Sequence, residues 1–210
     1  MGPFWLCRCY HYQTMLSMED LAALIAQYPA AAAANVAAVE LDGRRFDFNK
    51  RPAIMGVINL SPDSWYRESV CLSTEQAVRR AQVMSAQGAD FVDVGAESSL
   101  AHAARADEQL QTSRLLPVVR ALRTLGILVS VETYHVEVAQ TCVEAGARLL
   151  NLTGTAHSNE LYAIAAAHDA AVIICHVQGP NVREVGDFDC GADAVQVMYE
   201  FFARQIDLAR

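Results

Sequence analysis

One repeated unit constrains the fold of this chain more than any other feature: a short run of Val, Ile and Leu, a polar residue near its end, an amphipathic stretch, then a glycine before the next run. The runs are Ala53 to Leu60, Phe91 to Ala96, Ile127 to Glu132, Leu149 to Thr153 and Ala171 to Val177. They lack the apolar/polar alternation of a one-sided sheet, and so read as parallel strands covered on both faces. Gly88, Gly126 and Gly146 each close a helical stretch and precede a strand, and Ser73 with Gln76 offers a capping box for the first of these helices. Pro117 is expected at a helix start or kink, not inside a helix. A fifth helix should run from about Ala192 to Arg210. Strand, helix, strand at this spacing implies right-handed crossovers, hence an α/β fold that is either an open wound sheet or a closed barrel.

Before the repeat, the chain reads differently. Residues 1 to about 17 show no period, Met18 to Tyr28 has helical spacing at Leu21, Leu24 and Ile25 ended by Pro29, and Val36 to Phe48 alternates around Asp42-Gly43, a hairpin-turn dipeptide. Such a hairpin can plug the bottom of a barrel. We therefore divide the chain into an N-terminal tail, helix and hairpin (1–50) and a repeat domain (51–210). The net charge of -8, with no Lys/Arg cluster, argues against a nucleic-acid surface. The Ala-rich stretch 30–38 is too short and too weakly apolar to span a bilayer. Six cysteines without paired C-x-x-C spacing point to reduced thiols and a cytoplasmic, soluble protein.

Polar groups gather where the runs end: Asn59, Asp93 with Glu97, Glu132, Asn151 and His176. The C-terminal end of parallel strands is where barrels and open sheets place their ligands. Each has an ordinary structural alternative. Asn59 before Ser61-Pro62-Asp63 can open a turn, Glu132 can cap a helix starting near Tyr134, and His176 can be a satisfied core histidine. Asp93 between Val92 and Val94 is harder to set aside, because a buried carboxylate is costly unless hydrogen-bonded. Together the groups suit a flat, nitrogen-rich heterocycle, with carboxylates accepting from ring N–H groups and Asn both donating and accepting. No G-x-S-x-G elbow or H-E-x-x-H helix is present. Asn59 with Asp63 is suited to a magnesium-held diphosphate.

Two segments carry a family resemblance. Ile54-Met55-Gly56-Val57-Ile58-Asn59-Leu60-Ser61-Pro62-Asp63-Ser64 and Gly88-Ala89-Asp90-Phe91-Val92-Asp93-Val94-Gly95-Ala96-Glu97-Ser98-Ser99 resemble the two signatures of the dihydropteroate synthases. Val131-Glu132-Thr133-Tyr134, Asn151 with Gly154, and His176-Val177-Gln178-Gly179 follow in the same order, so the resemblance runs from about residue 50 to the last. It implies a TIM-type (β/α)8 barrel and a transferase of folate biosynthesis that joins hydroxymethyl-dihydropterin diphosphate to p-aminobenzoate, with Mg as cofactor. It further implies that Asn59 meets the metal and diphosphate, that Asp93, Glu132, Asn151 and Cys175 line the pterin pocket, and that Asp63, Ser64, Ser98 and Ser99 form the p-aminobenzoate side. Glu97 and His176 are further strand-end groups.

The chain departs from the family pattern in several places. Glu132 stands where the family has Asp, Trp65-Tyr66-Arg67-Glu68 replaces the usual first loop, Ser99-Leu100-Ala101 replaces Thr-Arg-Pro, and Leu152 follows Asn151 where an Asp is usual. About five βα units are present, and the family's later Asp-Pro-Gly, Lys and Arg-x-His segments are not. The expectation is a partial barrel that is a gene fragment, is completed by a partner or is poorly soluble; a homodimer or a barrel-completing chain is the partner expected. A non-catalytic pterin-binding or regulatory homologue is the alternative reading, and the corrinoid methyltransferases that share the pterin barrel are disfavoured by the Asn59 to Ser64 signature.

Overall fold

The computed structural model describes residues 17–185 and 193–210; within these, the repeat becomes five parallel strands in sequence order. The strands are β3 (Met55–Asn59), β4 (Phe91–Gly95), β5 (Val129–Glu132), β6 (Leu149–Leu152) and β7 (Ala171–Ile174), each paired with the next. They alternate with α3 (Thr74–Ala86), α4 (Glu108–Thr124), α5 (Val136–Glu144) and α6 (Ser158–Ala167), and α7 (Ala194–Leu208) follows β7. The sheet and its helices are the α/β arrangement expected. The observed strands begin or end one to three residues inside the apolar runs, because run ends such as Cys175-His176-Val177 turn into the loops.

Period-two alternation sorts each strand into two faces. Ile58, Val92, Val94, Val129, Val131, Leu150 and Leu152 point to the helices and form the main core with Leu115, Val118, Val119, Leu122, Val138, Cys142 and Leu161. Leu152, in the place of the family's Asp, is thus a helix-side core residue. The other face carries Asp93, Ser130, Glu132 and Asn151 toward the strands' C-terminal ends. Lower on that face, Phe91, Leu149, Ala171 and Ile173 meet Leu41 and Phe46.

Leu41 and Phe46 belong to a hairpin, β1 (Val39–Leu41) with β2 (Arg44–Phe46), turning at Asp42-Gly43, both at positive φ. The hairpin plugs the bottom of the sheet, as its alternation suggested. Compact units divide between Ala37 and Ala38, so the hairpin goes with the sheet and not with the preceding helical segment. That segment holds α1 (Met18–Gln27), closed at its start by a Ser17/Asp20 capping box, and α2 (Pro29–Ala32). Pro29 ends the first helix by opening the second.

Two local expectations need correction. Pro117 lies inside α4, which runs unbroken from Glu108 to Thr124. Burial of Leu115, Val118, Val119 and Leu122 against the sheet outweighs the one lost helical hydrogen bond. Ser73 does cap α3 by accepting from the Gln76 N–H at 3.2 Å, but the Gln76 side chain reaches the Leu72 N–H at 3.0 Å, so the box closes one residue early.

The hairpin is held by charge as well as by packing. Asp42 accepts from Arg123 of α4 and lies 3.7 Å from Arg148, and Arg44 donates to the Gly126 carbonyl at 2.6 Å. The Arg123 hydrogen bond holds the Asp42 carboxyl below the usual carboxylate range. Asp42→Ala should lower the urea-unfolding free energy by about 1 kcal/mol, whereas Glu40→Ala, which removes only an exposed pair with Arg45, should leave it within about 0.5 kcal/mol.

Candidate functional site

The site starts from a carboxylate that the fold has taken out of water. Asp93, mid-strand on β4, is 4% exposed. Its Oδ1 accepts from Ser130 Oγ at 2.5 Å and its Oδ2 from Asn151 Nδ2 at 3.0 Å. Burial pushes the Asp93 carboxyl up, and these two hydrogen bonds oppose the shift. The Asn151 amide is thereby oriented: its nitrogen is committed to Asp93 and its Oδ1 faces Cys175 Sγ at 3.5 Å. Burial, and then the charges of Glu132 and Asp93, raise the Cys175 thiol, so it is a neutral, polarisable wall and not a nucleophile.

Glu132 ends β5, with Gly95 and Asn151 as its neighbours in register. Its Oε1 accepts from Thr153 Oγ1 at 2.9 Å, and a Cβ on Gly95 would lie 2.6 Å from Oε2. The extra methylene relative to Asp is therefore accommodated by the missing side chain at Gly95. It does not cap a helix, since α5 starts after His135 without a side-chain cap. Burial, reinforced by the charges of Asp93 and Glu97 and opposed by Thr153, pushes Glu132 up to about 7.

Asn59 completes this row. Its Nδ2 donates to Ser69 Oγ at 2.7 Å, leaving Oδ1 on the side of Gly95. Asn59, Ser64, Glu97, Ser99 and Glu132 line a cavity of about 180 Å³ together with Trp65 and Tyr66. Ser64 is buried and its Oγ has no hydrogen-bond partner, while Asp63 and Ser99 are exposed at the rim. The Asp63 carbonyl accepts from Ser98 Oγ at 3.0 Å, tying the loop after β3 to the loop after β4.

Of the other two strand-end groups, Glu97 lines the cavity but is committed to protein partners, and His176 turns away. Glu97 gives both oxygens to the protein: Oε1 accepts from the Ala106 N–H at 3.0 Å and Oε2 from the Tyr134 hydroxyl. His176 packs edge-on against Phe201 of α7, with ring centroids 4.7 Å apart. The structure thus brings Asn59, Asp93, Glu132, Asn151 and Cys175 together, sets Asp63, Ser64, Ser98 and Ser99 above them, and directs Glu97 and His176 to protein partners. Sequence reasoning passed over Ser130, Thr153, Ser69, Tyr134 and Arg183. Ser130 and Thr153 were within reach, since each lies two residues from a chosen strand-end residue and so shares its face.

This arrangement coincides with a family model described as pterin binding enzyme, which matches residues 55–210. The chain belongs to the pterin-binding enzyme family. Among curated members, the dihydropteroate synthase of Synechocystis sp. is 34% identical over 167 residues, 79% of this chain and 57% of that protein. Among solved structures, the Burkholderia cenocepacia dihydropteroate synthase complexed with 7,8-dihydropteroate superposes with a TM-score of 0.70 at 28% identity, covering 83% of this chain and 58% of that one. The Thermus thermophilus enzyme in complex with 4-aminobenzoate gives 0.68 at 32% identity, covering 82% and 61%. This pterin-binding family member therefore spans less than two thirds of the length of these relatives, and its five-stranded sheet is part of the TIM barrel to which they belong. No helix among the described residues is long and apolar enough to cross a membrane.

The raised Glu132 carboxyl sets a pH dependence whose sign is fixed. Between about pH 4.5 and about pH 7 the unfolded chain has lost this proton while the fold retains it, so stability falls as pH rises through that window. Glu132→Gln removes this contribution and leaves that of the raised Asp93 carboxyl. In urea unfolding at about pH 8 the variant should gain roughly 3 kcal/mol on the parent, relative to their difference at about pH 4. A parallel response of the two proteins to pH would contradict the assignment.

Proposed function

We propose that this chain carries the pterin-holding side of a dihydropteroate synthase site, at which hydroxymethyl-dihydropterin diphosphate condenses with p-aminobenzoate in folate biosynthesis. The observation that carries the reading is the Asp93, Asn151, Glu132 and Cys175 cluster: two carboxylates, one amide carbonyl and a soft apolar wall on one face of adjacent strands. A two-ring base bearing N–H and amino groups satisfies that set without adding charge. The family match and the similarity to two synthases solved with 7,8-dihydropteroate and with 4-aminobenzoate support the same reading.

The chemistry needs little more from the protein than charge and position. In the reaction, the carbon–oxygen bond to the diphosphate breaks with its electron pair leaving on oxygen. The amine nitrogen forms the new bond to the methylene and gives up one proton. Positive charge develops on the pterin as the leaving group departs, and carboxylates fixed beside the ring stabilise it in place. Asp93 is held for this by Ser130 and Asn151, and Glu132, poised near neutrality, can strengthen its negative charge as the ring becomes cationic.

The same carboxylates repel a diphosphate, which argues for a cation between them. Among the described residues no group of three or more His, Cys, Asp or Glu is arranged to hold a metal. The donor set of the cavity is instead the Asn59 carbonyl with hydroxyl and carboxylate oxygens, which fits a hard cation that takes its remaining ligands from water and substrate oxygens. Magnesium held by Asn59 would offset charge on the departing diphosphate. The free Cys71, Cys142 and Cys175 support a reducing, cytoplasmic setting. Among the described residues β3 and β7 are the outer strands of the sheet, β3 meeting on its outer side a bridge from Asn59 to Val70, and further βα units, from the same protein or from a homodimeric or other partner, would complete the barrel there.

Calorimetry with the pterin diphosphate and magnesium tests the reading. Binding should be saturable, and both Asp93→Asn and Asn151→Ala should weaken it by about a hundredfold, the scale of a lost charge-assisted pair in a buried site. Binding that is absent, or indifferent to both substitutions, would refute it.

A further inference from the structure

The segment that follows β4 roofs the mouth, and the residue that holds it there comes from the far side of the sheet. Arg183, in the loop after β7, has a side chain only 1% exposed. Its Nη1 donates to the Ser98 carbonyl and its Nη2 to the Ala103 carbonyl, both at 2.6 Å, and Nη1 lies 3.6 Å from Glu97 Oε1. Two carbonyls of one loop and the carboxylate at its root are thus gathered by a single forked cation, a geometry that a lysine ammonium cannot reproduce. Nε is left buried and without a partner, as is Ser64 Oγ under the same roof. Native folds rarely leave such atoms unpaired, so this placement is imposed by what the other two nitrogens hold.

The backbone that carries Arg183 is fixed from below. Asn181 Oδ1 accepts from the N–H groups of Arg183 and Glu184 at 2.9 and 3.1 Å, and Asn181 bridges to Gly154. The Val182 N–H donates to the Thr153 carbonyl at 2.9 Å, and Thr153 is the residue whose hydroxyl holds Glu132. A continuous path of bonds therefore runs from the carboxylate in the mouth to the loop above it. Gly179, at φ +142, has the Glu184 carbonyl where a Cβ would stand, so this loop closes on itself only with glycine there.

We propose that Arg183 is a positioning residue: its guanidinium presets the segment 97–106 so that Ser98 and Ser99 stand over the mouth for the second, amine-bearing substrate, without itself touching either substrate. The inference rests on the reading of the mouth given above.

Hydrogen–deuterium exchange and ligand titration of the full chain, with Arg183→Lys and Arg183→Met, test it. Both variants should exchange about tenfold faster over 97–106, where the Ala106 and Ala103 amides are now bonded, while β4, β5 and β6 exchange as before. Affinity for the pterin diphosphate should change by less than about twofold, and affinity for p-aminobenzoate on the pterin-loaded protein should fall about tenfold, with no rescue by lysine. Unchanged exchange over 97–106, acceleration spread evenly over all strands, or full rescue by lysine would each overturn the positioning role. Failure of the unsubstituted chain to bind the pterin diphosphate would overturn the mouth reading, and with it the service to a second substrate. The exchange pattern would then decide separately whether Arg183 holds the segment.

Discussion

The buried Asp93 carboxylate is the constraint on which the rest of the site depends. A charge at that position in the middle of β4 is tolerable only with donors on both oxygens, and Ser130 and Asn151 reach it only if β4, β5 and β6 pair in the register observed. A one-residue slip of β5 or β6 would send Ser130 or Asn151 to the helix side and leave the carboxylate bare. The polar requirement of one side chain and the apolar requirement of the helix-side core therefore select the same strand alignment, and the alignment in turn places Glu132 and Cys175 around the Asn151 amide.

Two levels of the molecule then divide the work. Near the bottom, the hairpin's Leu41 and Phe46 pack with Leu128 and Leu149, giving the sheet interior an apolar floor beneath the carboxylates. At the top, polar side chains bond loop to loop: Ser98 to Asp63, Tyr134 to Glu97, Thr155 to Gly179. Between them lies a row, Asn59, Gly95, Glu132 and Asn151, in which the absence of a side chain at Gly95 is as necessary as the presence of the other three.

Much of this was legible in the chain itself, for reasons tied to particular residues. The apolar runs revealed the strands because both faces of a parallel sheet are covered, and Asp93 stood out because Val92 and Val94 flank it. What stayed hidden depends on partners distant in sequence. The role of Glu97 as a loop anchor requires Tyr134 and Ala106, and Arg183 meets Ser98 eighty-five residues away. The position of Pro117 inside a helix reflects tertiary burial overriding a local preference. His176 had the same strand-end placement as Asn151, yet the turn after Ile174 carries it toward Phe201, a difference that no period records.

The most direct measurement is a crystal structure of the chain with the pterin diphosphate and magnesium. The account predicts a flat two-ring density in the mouth, with ring nitrogens within hydrogen-bond distance of Asp93, Asn151 and Glu132, the Cys175 sulfur against its face and the diphosphate toward Asn59. A ligand seated outside that row, or a ring whose polar edge faces away from Asp93 and Asn151, would contradict it.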